Sequence, residues 1–422
     1  MHYFFTTLLL LFLACNLQAQ ISPNHPTCDG SRYVSQVFTT VDTTAEVLYG
    51  SNTTYGGNSK DLYMDIYEPT GDVALERPAI VLAFGGSFIG GNREDMDALC
   101  RYYAQRGYVA VTIDYRLYDG GFFPFPDSAV MTDVVIKAVG DMKAAVRFLR
   151  QDAATVNNYR IDTNYIFVGG ISAGGIVATH TAYIGVDDTL ATNEQTAVNN
   201  NGGLEGNSSN NVGVYSSAVQ GVVNFSGALR DAGYIDANDP PLFSAHDDGD
   251  GVVPYGNGFA TIAGFPIIYV EGSGSMALRA NSISLPNYLI TIPNSSGHVS
   301  YFQGNNAAIW ADSVRSTSSQ FLHDEVLCPI ILNIDQPLPQ ELLANFYPNP
   351  SPREIMIAFE ELPSSYNLTL YDNMGRVVRV VNNIQDQQYL LSREQLPAGI
   401  YHAQLQFEEA HIAPVQASVV FQ

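Results

Sequence analysis

Tyr165-Ile166-Phe167-Val168-Gly169-Gly170-Ile171-Ser172-Ala173-Gly174-Gly175-Ile176-Val177-Ala178 is the stretch on which the reading of the fold turns. Tyr165 to Val168 predicts a short buried strand, and Ala173 to Tyr183 predicts a helix. Between them stands Gly170-x-Ser172-x-Gly174. A chain that passes from strand to helix in so few residues must turn sharply, which forces the serine into a strained conformation and projects its Oγ. Glycines two before and two after leave room for the strand and helix to approach closely. A glycine-rich turn with a surface serine would have the same letters; the strand–turn–helix context favours a nucleophile.

Working outward, strand-like and helical runs alternate through the middle of the chain. Pro78 to Phe84, Tyr108 to Asp114, Tyr165 to Val168, Val219 to Phe225, Leu242 to Ala245 and Tyr288 to Ile292 are apolar runs of strand length. Glu94 to Arg106, stopped by Gly107, and Asp133 to Arg150, with Val134, Ala138, Met142, Ala145, Val146 and Leu149 at helical spacing, are helices. This alternation predicts an α/β fold with a mostly parallel central sheet and helices on both faces. Residues 185–214, rich in Asn, Gly, Ser and Thr, read as a loop outside the core. It either overhangs the serine as a lid or is a surface insertion.

The chain has 422 residues, with 46% hydrophobic and 14% charged, enough for a large packed core and a second, smaller domain. Its formal net charge of −23, from 42 acidic and 19 basic residues, repels phosphate backbones and anionic membranes, so nucleic acid is not an expected partner. Leu8 to Ala14 is too short for a membrane span, and with Ala19 it reads as a secretory signal peptide over residues 1–19. No later segment is long and apolar enough for a transmembrane helix. An exported chain meets an oxidising compartment. Cys28 and Cys328 lie at the two ends of the expected catalytic domain, residues 20–328, and chain ends often lie close together, so they are expected to form a disulfide. Cys100 is expected to be a free, buried thiol on a helix. No Cys-x-x-Cys pair points to zinc.

A serine hydroxyl needs a base to accept its proton, and on an elbow of this kind the acid and then the base follow the nucleophile along the chain. His298, in Gly297-His298-Val299 just after the last apolar strand, is the candidate base. His180 lies eight positions along the elbow helix and points away from the Oγ. The acid lies in His246-Asp247-Asp248-Gly249-Asp250-Gly251-Val252-Val253-Pro254, with Asp250 the choice, Asp247 the runner-up and His246 a supporting residue. The same cluster fits a calcium loop poorly, since His246 and Asn257 fall at its first and last ligand places. Oxyanion donors are expected from the Ala173 N–H and from the Phe84-Gly85-Gly86-Ser87-Phe88 loop. Phe122-Phe123-Pro124-Phe125 either lines a substrate pocket or packs beneath a loop.

Taken in order, Phe84-Gly85-Gly86-Ser87-Phe88, Asp114-Tyr115-Arg116, Gly170-Ile171-Ser172-Ala173-Gly174-Gly175, His246 to Pro254 and Gly297-His298-Val299 resemble the carboxylesterase and lipase branch of the α/β-hydrolases, over roughly residues 60–305. The resemblance implies a triad of Ser172, Asp250 and His298, oxyanion donors at Gly85, Gly86 and Ala173, an ester substrate, and no metal or organic cofactor. Phe84 stands where the family has a histidine, and Ser87 where it has a third glycine. Residues 329–345, with Pro329, Pro337 and Pro339, read as a linker. Residues 346–422 follow, with alternating strands that suggest a small β-sandwich. Phe346-Tyr347-Pro348-Asn349-Pro350, Leu368 to Arg376 and Leu396 to Tyr401 resemble the C-terminal sorting domain of type IX secretion cargo. That resemblance implies export through the periplasm by the type IX machinery, to the cell surface or the medium. The expected activity is a secreted serine esterase acting through an acyl-enzyme. A peptidase of the prolyl-oligopeptidase kind and a non-catalytic surface-binding protein are the alternatives. Lipid, feruloyl or acetyl polysaccharide and polyester substrates remain open.

Overall fold

A computed structural model describes residues 28, 30–121, 125–329, 344–359, 365–373, 376–407 and 414–422. The expected signal peptide, Phe122-Phe123-Pro124 and nearly all of the expected linker lie outside the described residues. The chain divides into two compact units, Met1–Ile330 and Ile331–Gln422.

The first unit opens with two long antiparallel strands, β1 (Val41–Thr53) and β2 (Ser59–Pro69), which the sequence reading does not identify. Then come β3 (Arg77–Ala83), α1 (Asp97–Ala104), β4 (Val109–Ile113), α2 (Ser128–Ala154), β5 (Ile161–Ile171), α3 (Ala173–Tyr183), α4 (Thr192–Asn200), β6 (Val222–Phe225) and β7 (Ala228–Leu229). The remainder comprises β8 (Leu242–Asp247), β9 (Asn257–Ile262), β10 (Phe265–Gly272), α5 (Ser273–Ser282), β11 (Asn287–Ile292) and α6 (Gly304–Leu322). Eight strands form one sheet in the order β1-β2-β4-β3-β5-β6-β8-β11. The six from β4 to β11 run parallel, and β2 joins β4 antiparallel. Every residue of β3, β4 and β6 is buried, as expected where helices cover both faces of a parallel sheet. β7, β10 and β9 form a separate small sheet.

Residues 185–214 are the loop that their composition predicts only in part. They contain α4, with Glu194, Ala197 and Val198 buried against α2. The polar residues that suggest a loop are satisfied by buried cations. Arg116 Nη2 donates to Ser208 Oγ at 3.0 Å, and Arg147 Nη1 donates to Glu205 Oε2 at 2.9 Å. Burial of polar groups is tolerated when they are paired, and composition does not show which will be.

Cys28 and Cys328 are joined by a disulfide across a sequence separation of 300, with Cα atoms 5.8 Å apart, while Cys100 on α1 is free and buried. Closing so long a loop restricts the unfolded chain strongly. A Cys28→Ser/Cys328→Ser variant is therefore expected to lose about 2–4 kcal/mol of stability in urea titrations against the oxidised wild type. Coincident unfolding curves would show that the crosslink does not stabilise the fold.

The second unit contains β12 (Ala344–Tyr347), β13 (Glu354–Phe359), β14 (Tyr366–Asp372), β15 (Val377–Ile384), β16 (Gln388–Ser392), β17 (Gly399–Phe407) and β18 (Val415–Phe421). They form two antiparallel sheets, β12-β13-β16 and β15-β14-β17-β18. Alternate residues point inward, as the period of two requires. Tyr401, Ala403, Leu405 and Phe407 of β17 enter a core of their own with Ile355, Leu368 and Leu391.

Candidate active site

The parallel strands bring their C-terminal ends to one edge of the sheet, where open α/β sheets bind ligands. Ser172 follows β5, Asp250 follows β8, His298 follows β11, and Gly85-Gly86 follows β3. Residues up to 126 positions apart in sequence are thereby brought into contact.

At the elbow, Ser172 has φ 56° and ψ −116°, well outside the helix that it starts. Its N–H donates to Phe225 O at 2.7 Å and its carbonyl accepts from Ile176 N–H at 3.0 Å, so both neighbours fix the strained residue. A Cβ on Gly174 would strike the Ala83 carbonyl, and one on Gly170 would strike the Gly174 backbone. Both flanking positions are therefore glycine for lack of space.

His298 Nε2 lies 2.7 Å from Ser172 Oγ, and its Nδ1 lies 2.7 Å from Asp250 Oδ2. The carboxylate can only accept, so Nδ1 carries the proton and Nε2 faces the serine as acceptor. Asp250 Oδ1 accepts the N–H groups of Val252 at 2.8 Å and Val253 at 3.1 Å. His246 Nε2 stands 3.3 Å from Asp250 Oδ2 and 3.0 Å from Val253 O, and its Nδ1 meets Ser273 Oγ at 2.7 Å. Burial works to raise the Asp250 pKa. The hydrogen bonds from His246 and His298 and the nearby imidazole outweigh it and hold the carboxyl at about 2.

The neighbouring acids are engaged elsewhere. Asp247 accepts both the N–H and the hydroxyl of Ser300, while Asp248 accepts the N–H groups of Asn294 at 2.8 Å and Ser295 at 3.0 Å. These bonds tie the loop bearing His298 to the turn bearing Asp250. Val299, beside the imidazole, has φ 55° and ψ 34°, a left-handed conformation that a β-branched residue rarely adopts. No sequence signal marks Ser300 or Val299 for these positions.

The Gly85-Gly86 loop backs onto the elbow. A Cβ on Gly85 would lie 3.3 Å from that of Ser172, and Gly86 has φ 130°, followed by Ser87 and Phe88 at 56° and 62°. Ser87, Phe88 and Ala173 line a cavity beside Ser172. Phe84 instead stacks on Tyr115 with ring centroids 4.3 Å apart, in the core. The cavity walls are mostly apolar: Met131, Val135 and Ile136 from α2, and Ile262, Ile268 and Val270 from the β9–β10 hairpin. Phe125 sits beside Phe265 of that hairpin, with centroids 5.7 Å apart. His180 lines the same cavity about two turns along α3 from Ser172, with Glu194 and Arg230. Among the described residues no group of His, Cys, Asp or Glu side chains is arranged to hold a metal ion, and no helix is long and apolar enough to cross a membrane.

Residues 64–232 match the BD-FAE family profile, and residues 345–414 match the secretion system C-terminal sorting domain. No curated protein matches the chain. Among similar solved structures is Thermogutta terrifontis esterase 2 phosphorylated by paraoxon, at 22% identity and a TM-score of 0.48, covering 68% of this chain and 95% of that one. The propionate-bound form of the same planctomycete esterase has 21% identity and a TM-score of 0.46, covering 66% and 96%. Its apo form has 22% and 0.47, covering 67% and 97%.

Proposed function

For this chain, an esterase-like α/β-hydrolase domain joined to a type IX sorting domain that directs it to the cell surface or the medium, we propose the hydrolysis of carboxylic esters by Ser172, His298 and Asp250. The observation that carries the reading is the continuous pair of 2.7 Å contacts from Asp250 through His298 to Ser172 Oγ. His298 Nε2 takes the Ser172 proton as Oγ attacks the ester carbonyl, and the adjacent carboxylate stabilises the imidazolium that forms. The tetrahedral oxyanion is held by the Ala173 N–H and by the Gly85-Gly86 loop. Collapse of the intermediate expels the alcohol, which takes the proton from His298 and leaves Ser172 acylated. Water, deprotonated by the same imidazole, then releases the acid. In this reading residues 1–19 are the signal peptide, 20–328 the catalytic domain, 329–345 the linker and 346–422 the sorting domain.

A fluorophosphonate probe is expected to label the purified protein once, on the peptide that contains Ser172, and to abolish turnover of a short p-nitrophenyl ester. A dipeptide anilide should be cleaved far more slowly than the ester. Absence of ester turnover, or labelling at another residue, would overturn the proposal; faster cleavage of the anilide would favour a peptidase.

A further inference from the structure

His298 is carried by a loop that leaves β11 at Ile292 and ends before the buried Tyr301, whose hydroxyl donates to Ala245 O at 3.1 Å. Residues 293–299 belong to no helix or strand. The loop bends through the left-handed region near each end, at Asn294 and at Val299, both with φ 55°. A β-branched residue stays in that region only when its surroundings enforce it. The imidazole itself is 20% exposed, so packing alone does not fix it.

Both bends are held by carboxylates of the acid turn. At the first, Asp248 Oδ2 accepts the Asn294 N–H at 2.8 Å and Oδ1 accepts the Ser295 N–H at 3.0 Å. At the second, Asp247 Oδ2 accepts the N–H of Ser300, the residue after Val299, at 2.9 Å, and Oδ1 accepts the Ser300 hydroxyl. Every oxygen of the two adjacent carboxylates thus takes a donor from the loop that bears the base. Between these ties the Gly249 N–H donates to Ser295 O at 2.9 Å, and a Cβ on Gly249 would come within 3.0 Å of that carbonyl oxygen. Turn and loop therefore touch closely there. Asp247 is fully buried, where a carboxylate is tolerated only with such donors. Asp248 is exposed, and the Asn294 and Ser295 N–H groups lower its pKa.

We propose that Asp247 and Asp248 are positioning residues for catalysis, latching the two ends of the His298 loop so that the imidazole meets Ser172 and then water in the same place. The base takes a proton twice in each turnover, and a small misplacement of a catalytic group is costly in rate. The inference rests on the esterase reading above. It adds what holds the base in register with the nucleophile.

Asp247→Ala and Asp248→Ala are each expected to lower kcat for p-nitrophenyl butyrate by about tenfold or more, with KM changed by less than about threefold. Neither residue lines the cavity beside Ser172, so binding should be spared. Labelling by the fluorophosphonate should slow in parallel, because it also needs His298 to deprotonate Ser172. The asparagine variants give a signature that a loss of stability would not. Asp247→Asn keeps an oxygen for the Ser300 N–H, and its NH2 group can donate to Ser300 Oγ, which turns its own hydrogen to Ser295 Oγ, 3.1 Å away. It is expected to exceed Asp247→Ala in kcat by about tenfold. Asp248→Asn has one oxygen for two N–H groups and sets its NH2 group against the other, so it should stay within about threefold of Asp248→Ala.

Contacts that serve only stability would lower the urea midpoints of the alanine variants and leave the kcat of the folded enzyme at the wild-type value, which would overturn the inference. An Asp247→Asn variant as slow as Asp247→Ala would also overturn it. Should Asp247→Ala fail to fold, the exposed Asp248 and Ser300→Ala, which removes only the hydroxyl half of the Asp247 latch, carry the test. Wild-type kcat in both Asp248→Ala and Ser300→Ala would then overturn the inference. A wild type with neither ester turnover nor labelling would instead sink the esterase reading, whereas an active wild type matched by its variants would sink only the latch.

Discussion

Ser172→Ala lowers kcat/KM for p-nitrophenyl butyrate by about 10⁴-fold or more, with a melting temperature close to that of the wild type. Removing Oγ removes the atom that forms the acyl-enzyme, and the remaining rate comes only from substrate binding and oxyanion stabilisation. Among the described residues the hydroxyl's one side-chain hydrogen bond is with His298 Nε2, whereas the elbow itself is held by backbone bonds to Phe225 and Ile176. Alanine keeps both backbone bonds, so the fold should survive. A variant that retains more than about a hundredth of the activity would exclude Ser172 as the nucleophile.

Asp250→Asn is expected to lower kcat by about 10³- to 10⁴-fold at neutral pH, through the tautomer of His298. Oδ1 of Asp250 accepts two backbone N–H groups, from Val252 and Val253. An asparagine must place its carbonyl oxygen there, which turns its NH2 group toward His298 Nδ1 and His246 Nε2. Two donors cannot face one another, so His298 is driven to the tautomer with its proton on Nε2, and the base for Ser172 is lost. Acid unfolding gives a second measurement. The Asp250 carboxyl is held at about 2, below its ordinary value near 3.8. Its contribution to stability is therefore present above about pH 4 and disappears as the pH falls toward 2. The melting temperature of the asparagine variant should fall less across that window than that of the wild type. Full activity in Asp250→Asn, or identical acid-unfolding profiles, would exclude this role for the carboxylate.

Much of this architecture is legible in the sequence because it is written locally. The Ser172 elbow is a covalently short turn that only glycine neighbours permit, and the apolar strands β3, β4, β6 and β8 read directly as buried runs. Motif order marks the sorting domain, and position at the two ends of one domain suffices to pair Cys28 with Cys328. Elements defined by partners distant in sequence are not legible. β1 and β2 carry many polar residues and take their places from each other and from β4. The β9–β10 hairpin that walls the cavity has no marked pattern, and residues 185–214 look like solvent-exposed chain until Arg116 and Arg147 are seen to pair with them.

The same division runs through the site. Sequence alone places a serine, an acidic turn and a histidine in an order that a parallel sheet can bring together, because strand order constrains which loops share an edge. The resemblance prefers Asp250 to Asp247, and the tertiary structure shows the contacts that separate them. The two lie in one short turn, and they differ only in that one meets His298 and the other Ser300, each about fifty residues away in the chain. Tertiary structure alone also sets His180, Glu194 and Arg230 around the cavity beside Ser172, since a side chain's neighbours across a core depend on packing between elements and leave no trace in their local spacing.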